Sequence, residues 1–159
     1  MFRRDTLRIA LDSAVNKLAS YAPASRDYNL DRYTELLITL NVTAAERPAA
    51  QTYDFYLITG DGYSEWDLVH FPQIALAGPA RYTARVLSTQ LPQAVTAAAP
   101  GVATVAPGII NTLTTNAPKT LGAGVVAHGP WGNMLRYELV CVGALTTGII
   151  YTLQVQARE

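Results

Sequence analysis

From Arg32 to Val42 (RYTELLITLNV) apolar and polar positions alternate with a period of two. Thr34, Leu36, Ile38, Leu40 and Val42 share one face, and Tyr33, Glu35, Leu37, Thr39 and Asn41 share the other. A period of two suits an extended strand buried on one side, so the Leu36 face is expected in the core. The pattern recurs downstream. Thr52 to Thr59 is rich in aromatic and β-branched residues and ends at Gly60-Asp61-Gly62, whose glycines can supply the positive φ of a tight hairpin. Ser64 to Phe71 is the return strand, with Trp66, Leu68 and His70 alternating against Glu65, Asp67, Val69 and Phe71. Glu46-Arg47-Pro48 and Gly78-Pro79 mark turns, and Arg81 to Leu87 is a strand with Tyr82, Ala84 and Val86 on one face. Trp131 to Val142 and Gly148 to Ala157 flank Gly143 to Thr147 and are expected to form a closing hairpin. Ile149, Tyr151, Leu153 and Val155 make the apolar face of its second strand.

Two stretches do not follow this pattern. Leu91 to Gly124 is biased toward Ala, Thr, Val, Pro and Gly, and Lys119 is its only charge. Val102, Val105, Ile109, Ile110 and Leu113 make it too apolar for a solvated linker. It reads as a long loop whose extended chain is buried against a neighbouring subunit, or as a wide hairpin lying on its own domain. At the N-terminus, Leu7, Leu11, Ala14, Val15 and Leu18 fit a helical face, whereas Leu7, Ile9 and Leu11 fit a strand. The preferred reading of the first dozen residues is a projecting arm or an edge strand. Strands separated by turn signals, with little helix, predict an all-β sandwich or barrel of about eight antiparallel strands. The expected division is residues 1–30 as arm or edge segment and 31–159 as the domain, with the long loop at 91–124.

The chain has 159 residues, half of them apolar, enough for one core without metal or disulfide staples. Twelve basic side chains balance twelve acidic ones. That removes the electrostatic case for a generic nucleic-acid binder. Charged residues are 15% of the chain, against roughly 25% in an average domain, which favours association with other protein. Arginine heavily outnumbers lysine, and guanidinium groups suit protein interfaces. A single cysteine, Cys141, precludes an intramolecular disulfide. The start Met1-Phe2-Arg3-Arg4-Asp5 is not followed by an unbroken apolar run, so no secretory signal is expected. No run of about 18 apolar residues occurs, so no membrane span is expected either.

Candidate chemistry is sparse. His70 and His128 lack the HxH, HExxH or cysteine partners of a metal site, so no metal or cofactor is expected. His70 reads as a satisfied core residue and His128 as a loop residue. No serine sits in a G-x-S-x-G elbow, and Gly122-Ala123-Gly124 lacks the Lys-Ser/Thr pair of a phosphate loop. Glu65 and Asp67 share a strand face beside the Asp61 hairpin, where a solvated face is expected rather than an acid/base pair. Tyr53, Tyr56, Tyr63, Trp66, Tyr82 and Trp131 could stack on a glycan, or serve as core and interface side chains.

The order Leu40-Asn41-Val42-Thr43-Ala44, an aromatic strand, Gly60-Asp61-Gly62, Trp66-Asp67-Leu68 and Phe71 resembles small jelly-roll virion proteins of tailed bacteriophages. The Leu135-Arg136-Tyr137 strand and the closing Ile149 to Ala157 strand extend the likeness to about two-thirds of the chain, omitting the N-terminus and 91–124. The resemblance is to capsid decoration (cement) proteins. It implies a jelly roll, a homotrimer, a major capsid protein as partner and no catalytic residues. Synthesis in the host cytoplasm and a place on the capsid surface follow from it. Phe2, Arg3 and Arg4 are then candidates for capsid contact, and Val102, Val105, Ile109, Ile110 and Leu113 for the subunit interface. A jelly-roll domain of a tail, baseplate or fibre, binding protein or host glycan, is the alternative.

Overall fold

A computed structural model describes residues 6–45, 52–74, 79–88, 93–98, 102–109, 119, 121–127, 129–143 and 148–159; for 13–15, 93–98 and 102–109 it describes the backbone alone. The described residues contain eleven strands and one short 3-10 turn at Leu30–Arg32, and no α-helix. The protein is all-β, built from two antiparallel sheets.

The strands are β1 Thr6–Lys17, β2 Arg26–Asp27, β3 Glu35–Ala45, β4 Thr52–Gly60, β5 Glu65–His70 and β6 Ala80–Leu87. They continue as β7 Gln93–Ala98, β8 Val102–Ile109, β9 Val125–Val126, β10 Met134–Val142 and β11 Ile149–Arg158. One sheet has the order β1-β11-β3-β6, the other β2-β10-β4-β5-β9-β7-β8. Four of the pairings are nested: β1 with β11, β2 with β10, β3 with β6, and β4 with β5. The chain therefore behaves as one long hairpin, closed at the β4–β5 turn and folded across two layers. Strands β7 to β9 are inserted in its returning limb, between β6 and β10.

The expected core face of β3 is the observed one, with Leu36, Ile38, Leu40 and Val42 buried. It packs with Ile149, Tyr151, Leu153, Val155 and Ala157 of β11 against Tyr53, Phe55 and Leu57 of β4 and Leu135, Tyr137 and Leu139 of β10. Phe55 and Tyr151 meet edge to face across the layers, with centroids 4.7 Å apart. Burying a side chain of this size contributes about 1.5–3 kcal/mol, so these alternating faces supply most of the drive for the two layers to close.

Several expectations need correction. β10 and β11 do not form a hairpin: β10 pairs β2 and β4, whereas β11 pairs β1 and β3 in the opposite sheet. Both carry an apolar face, and each buries it from opposite sides of the same core. From Thr6 onward the N-terminal segment is not an arm but takes the other reading offered for it, since Thr6–Lys17 is an edge strand. Over its described strands the 91–124 segment takes the hairpin reading rather than the long loop: β7 and β8 form an antiparallel hairpin joined to the sheet through Gln93 and Val126. Residues 1–5, the turn at 46–48, Ile110, Leu113 and His128 lie outside the described residues.

Candidate functional site

The outward face of the β10-β4-β5 layer carries a connected network of polar side chains. In β10 the alternation that buries Leu135, Tyr137 and Leu139 turns Arg136 and Glu138 outward. Register places Arg136 opposite Ile58, which lies opposite Asp67, and Glu138 opposite Tyr56, which lies opposite His70. The register shift between Leu57 and Ile58 leaves Leu68 as the extra residue of β5.

Asp67 is 5% exposed, which overturns the expectation of a solvated face shared with Glu65. Its carboxylate accepts the backbone N–H of Lys119 at 2.8 Å and of Leu121 at 3.0 Å. Lys119 adopts φ 68°, and the resulting bend aims both amides at one anion. His70 is also buried. Its Nδ1 lies 2.7 Å from the Leu121 carbonyl oxygen and its Nε2 3.1 Å from Asp54 Oδ1. Tyr56 stacks on the imidazole at 4.0 Å, and Gln73 donates to the other Asp54 oxygen at 2.9 Å. The backbone then continues as β9, where Gly124 N–H donates to the His70 carbonyl and Ala127 N–H to that of Leu68. Residues 119 and 121–127 are thus strapped to the sheet by side chains and backbone carbonyls that β5 supplies.

A charge ladder runs beside the strap. The Arg136 guanidinium donates to both Glu65 oxygens, with Nη2 at 2.7 Å, and to Glu138 at 3.2 Å. Lys119 Nζ donates to Glu138 at 2.8 Å, and Ser25 donates to Glu65. The Arg136 hydrogen bonds hold the Glu65 carboxyl below its ordinary range. For Glu138, burial opposes charge, but the Lys119 and Arg136 hydrogen bonds outweigh it and the carboxyl is lowered too. Ile58 is fully buried although it points away from the main core, because this polar layer covers it.

The second polar cluster lies inside the sandwich. Register shifts between Ala10 and Asp12 put Asp12 opposite the inward-facing Leu153. One extra residue thus re-aims a carboxylate from solvent to interior. Asp12 accepts from the Tyr137 hydroxyl, which lies 2.9 Å from the Tyr151 hydroxyl. Lys17 Nζ stands 3.3 Å from the same carboxylate. Burial, then the Asp12 hydrogen bond, pushes the Tyr137 phenol far up; burial raises Tyr151 as well. Burial also pushes the Cys141 thiol up to about 11, which makes it a poor nucleophile near neutral pH.

These arrangements are suited to holding chain segments. Both His70 nitrogens face oxygen acceptors, so neither is presented to a substrate or metal. No group of three His, Cys, Asp or Glu suited to a metal occurs among the described residues. Nor is any helix there long and apolar enough to cross a membrane. The six aromatics do not form one stacking surface. Tyr53 is buried in the core, Tyr56 covers His70, Tyr82 packs near Phe71, and Trp131 donates to the Leu30 carbonyl. Tyr63 alone is almost fully exposed, at the β4–β5 tip. Of the residues singled out for partners, Val102, Val105 and Ile109 lie on β8, while Phe2, Arg3, Arg4, Ile110 and Leu113 lie outside the described residues.

Sequence reasoning missed the strap and the Asp12 cluster. Asp67 between Trp66 and Leu68 was a local signal for the first; Asp12, between Leu11 and Ser13 in a strand of mixed polarity, offered none. Comparison with family models, curated proteins and solved structures finds no match to this chain.

Proposed function

We propose that this chain is a structural virion protein, a jelly roll that decorates the outside of a tailed-phage head and clamps it across capsomer junctions. The observation that carries the reading is the nesting of β1 with β11, β2 with β10, β3 with β6 and β4 with β5. A jelly roll is an eight-stranded double sheet made by rolling up such a hairpin. The β7–β9 insertion enlarges one sheet without breaking the nest. The residues that resemble phage virion proteins occupy its strand ends and turns. Leu40 to Ala44 close β3, Gly60-Asp61-Gly62 closes β4–β5, and Leu135-Arg136-Tyr137 opens β10.

Decoration works by linkage: a ligand that binds only the assembled lattice raises the stability of that lattice. The chain assembles as a homotrimer in this reading, with Val102, Val105, Ile109, Ile110 and Leu113 at the subunit interface. Phe2, Arg3 and Arg4 engage the major capsid protein through an apolar anchor and guanidinium–carboxylate contacts. Deleting residues 1–5 removes no pairing of β1, whose register with β11 begins at Thr6 and Arg158.

Negative-stain imaging of tailed-phage virions incubated with gold-labelled protein tests the reading. Label on heads, weakened by the deletion, supports it. Label on tails moves the protein to a tail or fibre role, and absence of label from virions overturns both.

A further inference from the structure

His70 faces one more oxygen acceptor than a neutral ring can serve. Its Nδ1 lies 2.7 Å from the Leu121 carbonyl oxygen and its Nε2 3.1 Å from Asp54 Oδ1. A carbonyl carries no proton, so the short Nδ1 contact requires an N–H on the ring. An ionised Asp54 carries none either, and Gln73 donates to its other oxygen at 2.9 Å. Both contacts are hydrogen bonds only in the imidazolium, which has two N–H groups where the neutral ring has one.

The surroundings suit that cation. The ring is buried, with Tyr56 stacked on its face. Asp54 on β4, Asp67 on β5 and Glu138 on β10 are the carboxylates that act on the Tyr56 phenol. Burial and these three carboxylates hold the phenol above its ordinary value of 10.0, so it keeps its proton while the imidazole gains or loses one. Asp67 is engaged by the Lys119 and Leu121 amides, and the Lys119 and Arg136 cations are tied to Glu138. Asp54 is the carboxylate in contact with the ring.

We propose that His70 is a proton-operated latch on the strap. As imidazolium it bridges Asp54 and the Leu121 carbonyl. When it gives up one proton, the other stays at Nε2, because a hydrogen bond to an ionised acceptor is roughly twice as strong as one between neutral groups. Nδ1 then turns a lone pair toward the Leu121 oxygen, and the strap loses that hold. The strap runs on into β9, where Val126 pairs with Gln93 of β7, so the latch governs how firmly the β7–β8 hairpin is seated. Lower pH seats it and higher pH frees it, within the histidine window of about pH 5 to 8. The latch rests on the His70 contacts and not on a virion role.

Nuclear magnetic resonance on the whole protein tests it. Nitrogen shifts of the His70 ring show which atom is protonated, and amide exchange at Leu121 and Gly124, corrected for intrinsic rates, shows how firmly the strap is held. In the wild type the neutral ring carries its proton at Nε2. Exchange at the two amides quickens about tenfold as the ring deprotonates, the fold-change of one lost hydrogen bond, while β3 and β11 keep their protection. Asp54→Asn reverses the preference: the amide it introduces donates to Nε2, the ring proton stays at Nδ1, and the strap is held throughout the window. A neutral wild-type ring protonated at Nδ1, strap exchange that does not change with pH, or an Asp54→Asn protein with the wild-type step would each overturn the proposal.

Discussion

The Asp67 carboxylate accepts the backbone N–H of Lys119 at 2.8 Å across 52 positions of sequence. The same carboxylate accepts the Leu121 amide, so one β5 side chain fixes the end of the inserted segment to the sheet it crosses. Asp67→Asn keeps the shape but turns one acceptor into a donor facing an amide. The expected cost is about 1–3 kcal/mol, read from urea denaturation. Amide hydrogen exchange at Lys119 and Leu121 should quicken by more than exchange in β3 or β11. Equal protection at all sites would mean that the strap holds without the anion.

Acid should loosen the outer face before the core. Glu65 and Glu138 have carboxyls lowered from the ordinary value of 4.5, so their contribution is fully present above that pH. It is lost as pH falls below 4.5 and the carboxyls protonate. The thermal midpoint of the wild type should therefore drop through that window. Glu65→Gln should start lower and fall less steeply, as a series of melts against pH would show.

Alkali should act on the buried phenols. Tyr137 and Tyr151 are raised above the ordinary value of 10.0, so their contribution is complete below that pH and declines as pH rises beyond it. Phenolate absorbance from these two residues should appear only together with loss of the fold. Tyr137→Phe removes the shorter of the two hydroxyl contacts to Asp12, the other coming from Tyr151, and should cost about 1–3 kcal/mol in denaturant unfolding.

Gly132 marks a close approach of two backbones. A Cβ there would stand 1.8 Å from the Gly60 carbonyl oxygen and 2.9 Å from the Asp61 amide nitrogen. Thr59 secures the approach, its hydroxyl accepting the Gly132 amide at 3.0 Å and donating to the Met134 carbonyl. Gly132→Ala must push the β4–β5 hairpin off β10. A destabilisation of about 1–3 kcal/mol or more is expected, against a small effect for Gly122→Ala, where the nearest atom is a Val125 methyl at 3.6 Å. Chemical denaturation of the two variants side by side decides it.

The sequence by itself determined the strands β3, β4, β5, β6, β10 and β11 and the inward faces of β3 and β11. Leu36, Ile38, Leu40 and Val42, or Ile149, Tyr151, Leu153 and Val155, could be assigned to a core because side-chain direction alternates locally, whatever the strand pairs with. The β4–β5 hairpin was legible for the same reason, since a short turn rich in glycine leaves its flanking strands no other neighbour. His70 likewise took the satisfied, buried place expected of it. Tertiary structure alone decided the partners. β10 and β11 are neighbours in sequence with matching apolar faces, but a period of two does not say whether two such faces lie side by side or across a core. Crossing to the opposite sheet buries both. Asp67 and Asp12 were misplaced for a related reason. The burial of Asp67 depends on a segment more than fifty positions away, and the aim of Asp12 on a register shift against β11. Alternation records the direction of a side chain relative to its own strand; only the distant chain that packs there fixes what that direction meets.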